Sequence, residues 1–266
     1  WFSVSMLFAG SLTLWRSKDE SLEFLTGYII ELSLSMDNVF VIALIFTYFR
    51  VPLAYQHRVL FWGILGALVM RGVMIGAGAA LIKNFEWMLY VFGGFLVITG
   101  IKMILATDEG VDPEKNPVIR LTRKFFPVST EFNGQKFFDR IEGRLVLTPL
   151  ALVLLMVETT DLVFAVDSIP AIFSVTQKAF IVFTSNVFAI LGLRSLYFVL
   201  ANAIGYFRFL KAGLSVVLVF IGGKMLVEKW VHIPTAVSLV TVAFIIGISV
   251  IISIITGRRG QAKKSK

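Results

Sequence analysis

The chain of 266 residues contains no cysteine and only two histidines, His57 and His232. Disulfides and thiolate ligands are therefore excluded, and a histidine-rich zinc site is not expected. Acidic residues are the minority, 17 against 25 Lys and Arg, which gives a net charge of +8. The basic residues concentrate in short loops and in the C-terminal tail, a distribution that membrane topology explains better than nucleic-acid binding. We therefore expect no nucleic-acid partner.

Signatures of catalysis are absent as well. The sequence has no HExxH, no cysteine nucleophile and no Ser–His pairing at the depth of a membrane. We therefore expect neither an enzyme nor a bound cofactor.

Apolar residues dominate what is present. Hydrophobic residues make up 57% of the chain, charged residues 16%, and the mean hydropathy is +0.85. This composition predicts an all-α, polytopic protein of the lipid bilayer. Runs long enough to span predict eight transmembrane helices, at 1–15, 21–49, 59–82, 86–106, 146–175, 179–204, 209–228 and 233–256.

The Lys and Arg residues of the loops indicate the orientation. They fall mainly on the side that holds the 50–58 turn, residues 102–144, the 205–211 turn and the tail after Gly257. The positive-inside rule predicts that this side, with the C-terminus, is cytoplasmic. Because the first residue is Trp1, we expect the natural chain to begin earlier and its first span to be truncated.

One hydrophilic segment separates two groups of spans. It contains the turn dipeptides Asn133-Gly134 and Glu142-Gly143 between short apolar runs, which favours a small β-hairpin. The alternative is a solvated linker without regular structure.

An acidic stretch lies inside one predicted span. VETTDLVFAVDSIPA, residues 157–171, carries Glu158, Asp161 and Asp167. Each Asp at a bilayer centre costs about 2.5–3.5 kcal/mol, so these carboxylates require a cation, a proton or a partner. Glu158, Asp161 and Ser168 share one helical stripe. Pro170 would leave the backbone carbonyl of Val166 without its donor, as a further candidate ligand.

A second acidic stretch repeats the first. ELSLSMDN (31–38) aligns with DLVFAVDS (161–168), which pairs Glu31 with Asp161, Asp37 with Asp167, and Asn38 with Ser168. GILGALVMR and NVFAILGLR then pair Arg71 with Arg194, and FLVITGIKM pairs with VLVFIGGKM. Each repeat holds three helices, an odd number, so the two must be inverted, which is an architecture of transporters.

The repeat divides the chain into five segments. These are an N-terminal span at 1–20, a first three-helix repeat at 21–106, a cytoplasmic loop at 107–145, a second, inverted three-helix repeat at 146–230, and a last span with a basic tail at 231–266.

The buried charges favour a cation. The carboxylates of Glu31, Asp37, Glu158, Asp161 and Asp167 outnumber the guanidiniums of Arg71 and Arg194 by three. With neutral oxygens from Asn38 and Ser168 added, this donor set suits Mn²⁺, Ca²⁺ or Mg²⁺ and argues against copper or zinc.

Several residues have more than one interpretation. We expect Arg71 and Arg194 to balance charge as salt-bridge partners of the acids rather than to contact substrate. Asp37 and Asp167 are the expected direct ligands, since each half contributes one. Glu158 could instead carry a proton.

These motifs resemble those of the TerC/Alx family of integral membrane proteins, and most closely its Alx-like bacterial branch. The resemblance covers residues 21–256 and is carried by TGYIIELSLSMDNVFV, YQHRVLFWGILGALVMR, FGGFLVITGIKM, VETTDLVFAVDSIPAIF, TSNVFAILGLRSLYF and VFIGGKM.

The resemblance implies manganese export across a bacterial inner membrane, inverted three-helix repeats, and an older association with tellurite resistance. The family's acidic positions correspond here to Glu31, Asp37, Glu158, Asp161 and Asp167. Leu32 stands where related members often carry Lys.

We therefore predict a proton-coupled exporter whose substrate is Mn²⁺, with Ca²⁺ as the alternative ion. The competing hypothesis is a membrane scaffold or tellurite-resistance factor whose buried charges are purely structural. The sequence does not indicate an oligomeric state.

Overall fold

A computed structural model describes residues 1–85, 87–105, 116–129, 131–141, 143–200, 210–231 and 233–264, without the side chains of residues 37, 117, 200, 210 and 254–264. Nine helices and two strands are described. The helices are α1 (Phe2–Trp15), α2 (Lys18–Tyr48), α3 (Leu53–Asn84), α4 (Met88–Leu105), α5 (Pro117–Phe125), α6 (Pro149–Phe173), α7 (Ala179–Leu200), α8 (Leu210–Val227) and α9 (Thr235–Lys264), and the strands are β1 (Phe138–Ile141) and β2 (Arg144–Leu147).

Six of these helices are long and apolar enough to cross a membrane: α2, α3, α4, α6, α7 and α9. The predicted count of eight spans is not confirmed. The first helix has 14 residues, fewer than the roughly 17–25 that a bilayer requires, and α8 is not among the six.

Local sequence signals determine where the helices begin. Ser17 caps α2 by accepting a hydrogen bond from the backbone N–H of Glu20. Pro52 precedes α3, which therefore begins six residues before the predicted span. Thr148 caps α6, and Pro149 occupies its first turn.

The central helices of the bundle are α2, α3, α6 and α7. Helix α2 packs against α6 and α7, and α3 packs against the same two helices. Outside this group α4 packs on α8, α8 packs on α9, and α1 packs on α2. Of the six candidate spans, α2 is the most enclosed: 65% of the residues in its most apolar stretch are buried, against 17% for α4. The most enclosed helix is therefore one of the two that carry the acidic motifs.

Short structural elements occupy part of the hydrophilic segment. Strand β1 pairs antiparallel with β2 in the register Phe138 to Leu147, and Gly143 has a positive φ of 78°, which glycine adopts without strain. Helix α5 packs on α6 near the start of that span. The other residue of this turn, Glu142, lies outside the described residues.

Two glycines allow α4 and α8 to approach closely. A Cβ atom at Gly100 would lie 2.8 Å from the backbone oxygen of Ser215 and 2.8 Å from Val219. A Cβ atom at Gly222 would lie 2.6 Å from the backbone oxygen of Gly93 and 2.9 Å from Val97. Any larger side chain at either glycine would force the two helices apart.

Candidate cation site

A buried arginine joins two of the predicted acids. Nη2 of Arg71 donates to Oδ1 of Asp161 at 2.9 Å, and its Nε donates to Oδ2 at 3.1 Å. Nη1 of the same guanidinium donates to Oε1 of Glu31. Glu31 is 0% exposed, Arg71 2% and Asp161 7%. The three side chains thus form one ion-paired cluster in the interior of the protein.

Three helices supply this cluster. Glu31 comes from α2, Arg71 from α3 and Asp161 from α6. Asn38, about two helical turns after Glu31 on α2, donates from Nδ2 to Oδ1 of Asp161 at 3.1 Å. Ser168 on α6 accepts from Nη1 of Arg71 at 3.3 Å. The two acidic motifs therefore meet at Arg71.

Two buried oxygens of the cluster have no partner among the side chains that the structure describes. Oε2 of Glu31 and Oδ1 of Asn38 are shielded from solvent and make no hydrogen bond within the described part of the chain. A buried acceptor left unsatisfied costs free energy, about 1–3 kcal/mol. Two carboxylates also face a single guanidinium, so the local formal charge is negative. A cation with oxygen ligands would satisfy both conditions.

Asp167 lies near this cluster without joining it. Its carboxylate interacts with the side chain of Thr99 on α4, and it lines one cavity together with Glu31 and Ser168. Asp37, its counterpart on α2, has a side chain that lies outside the description.

Glu158 lies against a glycine of α3. A Cβ atom at Gly66 would lie 2.0 Å from Oε1 of Glu158, so the carboxylate occupies the space that a side chain at position 66 would take. Its Oε2 is shielded and has no hydrogen-bond partner among the described residues. Glu158 therefore makes no described hydrogen bond to Arg71, and its shielded Oε2 is an unsatisfied acceptor.

Arg194 differs sharply from its sequence counterpart. It is exposed, and its Nη2 lies 3.2 Å from Nδ1 of His57. No ion pair with an acid is found for it in the described portion, so in this structure it does not fill the charge-balancing role that the sequence predicts. It lines a cavity with Asp161.

Pro170 is buried within α6, which stays helical from Pro149 to Phe173. The backbone carbonyl of Val166 remains a predicted ligand, because the described contacts include none that it makes.

Two cavities adjoin the cluster. The first, which we name the His57-side cavity, is lined by twelve residues that include Asn38, Thr160, Asp161 and Arg194. The second, the Asp167-side cavity, is lined by ten residues that include Glu31, Asn38, Arg71 and Asp167. Asn38 lines both, so the ion-paired cluster is the boundary between them.

No group of three or more His, Asp or Glu side chains that could hold a metal ion occurs among the described side chains, a set that excludes Asp37. In this conformation Arg71 occupies the space between Glu31 and Asp161.

Sequence reasoning missed three features of the site. It did not anticipate that both acids would share one arginine, because the repeat alignment treats Arg71 and Arg194 as equivalent. It also missed the contact of Glu158 with Gly66. Thr99, a polar residue in the apolar run of α4, was the available signal for a partner of Asp167.

Comparison with known proteins identifies the family. The model of the integral membrane protein TerC family matches residues 16–264. The chain belongs to the TerC family. Family membership confirms a multi-pass integral membrane protein, as the sequence motifs indicate.

Several curated TerC relatives cover most of this chain. An uncharacterized membrane protein of Myxococcus xanthus is 50% identical over 97% of this chain and 81% of its own length. Alx of Escherichia coli K12, whose name describes a proposed membrane-bound redox modulator, is 48% identical over 95% of this chain and 81% of its own length. A membrane protein of Rickettsia bellii is 40% identical over 96% of this chain and 84% of its own length. No solved structure matches the chain.

Proposed function

We propose that this TerC protein is a transporter that exports a hard divalent cation from the cytoplasm, with Mn²⁺ as the expected substrate and Ca²⁺ as the alternative. The cation would bind between Glu31 and Asp161. The observation that carries the proposal is the position of this buried acid pair at the boundary of two cavities. A transporter requires a central site that can be approached from either side in turn.

The oxygens around the pair suit such a cation. Glu31 and Asp161 contribute four carboxylate oxygens, and the amide oxygen of Asn38 is buried without a partner in the described part of the chain. Asp167 lines the adjoining cavity and could bind the ion on its way in or out. Hard dications prefer carboxylate and amide oxygens to nitrogen or sulfur.

In this interpretation Arg71 replaces the metal cation when the site is empty. Its guanidinium neutralises the acid pair when no metal is bound, which avoids two uncompensated buried charges. An incoming dication would displace Arg71 from between Glu31 and Asp161. Substrate and arginine therefore compete for the same carboxylates.

The packing of the helices supports two inverted repeats. In the repeat alignment Gly100 corresponds to Gly222, and the Gly100 contacts at residues 215 and 219 correspond to the Gly222 contacts at residues 93 and 97. The contact between α4 and α8 is thus the same when the repeats are exchanged. The pairs α2 with α7 and α6 with α3 are likewise related by that exchange. Such pairing is expected of transporters that open alternately to each side.

Proton coupling would involve Glu158 or Asp161. Glu158 has a shielded oxygen with no partner among the residues described, and it lies one helical turn before Asp161. A proton entering from outside would neutralise a carboxylate and weaken metal binding, because metal ligands must be deprotonated. A cation flux that does not depend on the pH difference across the membrane would rule this coupling out.

The name of the Alx relatives concerns redox modulation. With no cysteine in this chain, thiol chemistry by its own side chains is excluded. If this chain shares such a role, we expect the effect to follow from the cation that it moves.

The test is metal flux into sealed liposomes that contain the purified protein. We expect Mn²⁺ flux above that of protein-free liposomes, slower flux of Mg²⁺, and loss of flux in Asp161→Asn and Asp167→Asn. Asp139→Asn is the matched control, since Asp139 lies in the exposed strand β1.

The structural-scaffold alternative predicts a different result. Under that hypothesis the native protein and all three variants would fold and show the same background leak of Mn²⁺. That result would contradict the transport proposal.

A further inference from the structure

The two arginines of the repeats have the same place in the sequence and different places in the structure. Arg71 corresponds to Arg194, and Glu31 corresponds to Asp161. Yet Arg71 pairs with both acids, whereas Arg194 contacts His57. If the two repeats had the same conformation, Arg194 would contact the two acids just as Arg71 does.

Arg194 is placed where it could reach the acid pair. It lines the His57-side cavity together with Asp161 and Asn38, so a cavity lies between its helix and the carboxylate. Its side chain is exposed and has only a histidine nitrogen at 3.2 Å as its described partner. A guanidinium in this position is available for a stronger partner.

The repeat counterparts of this cavity's lining residues are more tightly packed. Ile42, which is 5% exposed, lines the His57-side cavity, and its repeat counterpart Ile172 is 0% exposed. Gly63 also lines that cavity, and its counterpart Asn186 is 1% exposed with an Nδ2 that has no partner among described residues. At Gly27, α2 and α7 pack closely, since a Cβ there would lie 2.8 Å from Oγ of Ser185.

We infer that Arg194 is the second counter-cation of the Glu31–Asp161 pair. In a second conformation, in which the Ile172 side is open and the His57 side is closed, Arg194 lies between the two carboxylates and Arg71 is released. The inference rests on the two-repeat transport mechanism of the proposed function. It adds Arg194 to that mechanism as the residue that neutralises the acid pair while the protein changes conformation without a bound cation.

The exchange explains three observations together. The acid pair keeps one guanidinium in either conformation, so an empty site never exposes two buried carboxylates without a cation. Asn186 gains water when its side opens, which satisfies an amide that is otherwise buried without a partner. The different surroundings of Arg71 and Arg194 then result from the conformation of the protein, since the two arginines occupy equivalent positions in the sequence.

The absence of cysteine in the chain makes the test direct. Ile42→Cys reports opening of the His57 side, and Ile172→Cys reports opening of the other side. Each is labelled with a membrane-impermeant maleimide applied from its own side, in sealed vesicles of both orientations and without added metal. Each reporter is combined with native arginines, Arg71→Gln, Arg194→Gln or Arg71→Lys.

The two glutamine variants should move the reporters in opposite directions. Arg71→Gln removes the cation that holds the present conformation, so labelling of Ile172→Cys should rise and labelling of Ile42→Cys should fall. A minor conformation is commonly populated at roughly 0.1–10%, so the rise should be about tenfold or more. Arg194→Gln should lower labelling of Ile172→Cys below that of the native protein. Arg71→Lys, which keeps the charge, should restore labelling toward the native value.

A folding control keeps the outcomes distinct. Size-exclusion profiles show whether each variant folds, and Arg194→Gln tests the inference even if Arg71→Gln does not fold, because Arg194 is exposed. Labelling of Ile172→Cys that is unchanged in Arg194→Gln, or raised by both glutamine variants, would overturn the inference. The labelling uses no metal, so it tests the arginine exchange separately from transport. Opposite changes in the labelling of the two reporters without Mn²⁺ flux would contradict only the proposed function. Mn²⁺ flux without opposite changes in labelling would contradict only the arginine exchange.

Discussion

Two regions of the molecule differ in how they follow the internal repeat of the sequence: the contact between α4 and α8, and the cluster around Arg71. At the first, Gly100 and Gly222 meet corresponding residues of the opposite helix. At the second, Arg71 takes both Glu31 and Asp161, and Arg194 takes neither. The sequence repeat is therefore matched in one region and broken in the other.

Under the proposed transport mechanism, this difference separates a fixed contact from a variable one. Helices that touch identically from both repeats would keep their contact when the repeats exchange conformations. A charged cluster that is satisfied by only one of two equivalent arginines would change. We interpret α4 and α8 as the pivot of the protein and the Arg71 cluster as the part that switches.

Removing Arg71 should produce the largest effect. Arg71→Gln leaves Glu31 and Asp161 buried without their cation, and losing one partner of a buried pair typically costs about 3–5 kcal/mol. We expect a marked fall in the thermal midpoint of the protein in detergent.

Arg194→Gln is the matched control for this measurement. Its contact is with His57 at an exposed position, so its cost should resemble that of a surface interaction, about 0–1 kcal/mol. Equal destabilisation by the two substitutions would contradict the distinction between the arginines.

Overpacking the contact between α4 and α8 should have the next largest effect. A methyl group at Gly222 would lie 2.6 Å from a backbone oxygen of α4, so Gly222→Ala should cost about 1–3 kcal/mol, as overpacking does. The neighbouring Gly223 has no atom within 4 Å of its Cβ position. Gly223→Ala should therefore leave the thermal midpoint almost unchanged, and a similar loss in both variants would argue against a close pivot.

Gly66 provides a smaller and more specific change. Alanine there would occupy the space of the Glu158 carboxylate, a flexible group that can move at little cost. We expect Gly66→Ala to alter the pH dependence of Mn²⁺ flux while stability changes by less than about 1 kcal/mol. Gly76→Ala on the same helix, where no atom lies within 4 Å of the Cβ position, should leave that pH dependence as it is in the native protein.

The smallest effect concerns the turn between α6 and α7. Lys178 pairs with Glu20 and Glu23 at the start of α2, at 3.3 and 3.2 Å. Burial lowers the pKa of Lys178, but its pairs with Glu23 and Glu20 outweigh burial, so that pKa is raised. A raised pKa stabilises the fold below the ordinary value of 10.5 and loses this contribution as the pH rises through the folded value.

Lys178→Gln should therefore cost only about 0–1 kcal/mol near neutral pH, since the lysine is partly exposed. The cost should shrink at high salt and disappear at strongly alkaline pH. Thermal midpoints measured at both salt concentrations and across that pH range check this. A cost that grows with pH would mean that the charge of Lys178 is not what stabilises the turn.

Much of the fold follows from the sequence because long apolar runs and their caps are local signals. Each of the eight predicted spans overlaps a described helix, although only six of these helices are long and apolar enough to cross a membrane. The acids that meet at Arg71 could be named in advance, since a carboxylate at membrane depth must find a partner. Which arginine pairs with them could not be predicted, because the repeat alignment treats Arg71 and Arg194 as equivalent.

The positions of the remaining site residues depended on packing between helices. The contact of Glu158 with Gly66 and the contact of Asp167 with Thr99 join distant parts of the chain. Neither contact leaves a periodic pattern in the sequence. Residue types therefore indicated the chemistry of the site, while helix packing determined its arrangement.

The most direct measurement is the structure of the protein with Mn²⁺, in which anomalous scattering locates the ion. We expect one Mn²⁺ between the carboxylates of Glu31 and Asp161, with the guanidinium of Arg71 displaced from both. Mn²⁺ bound elsewhere while Arg71 still bridges the two acids would contradict the account.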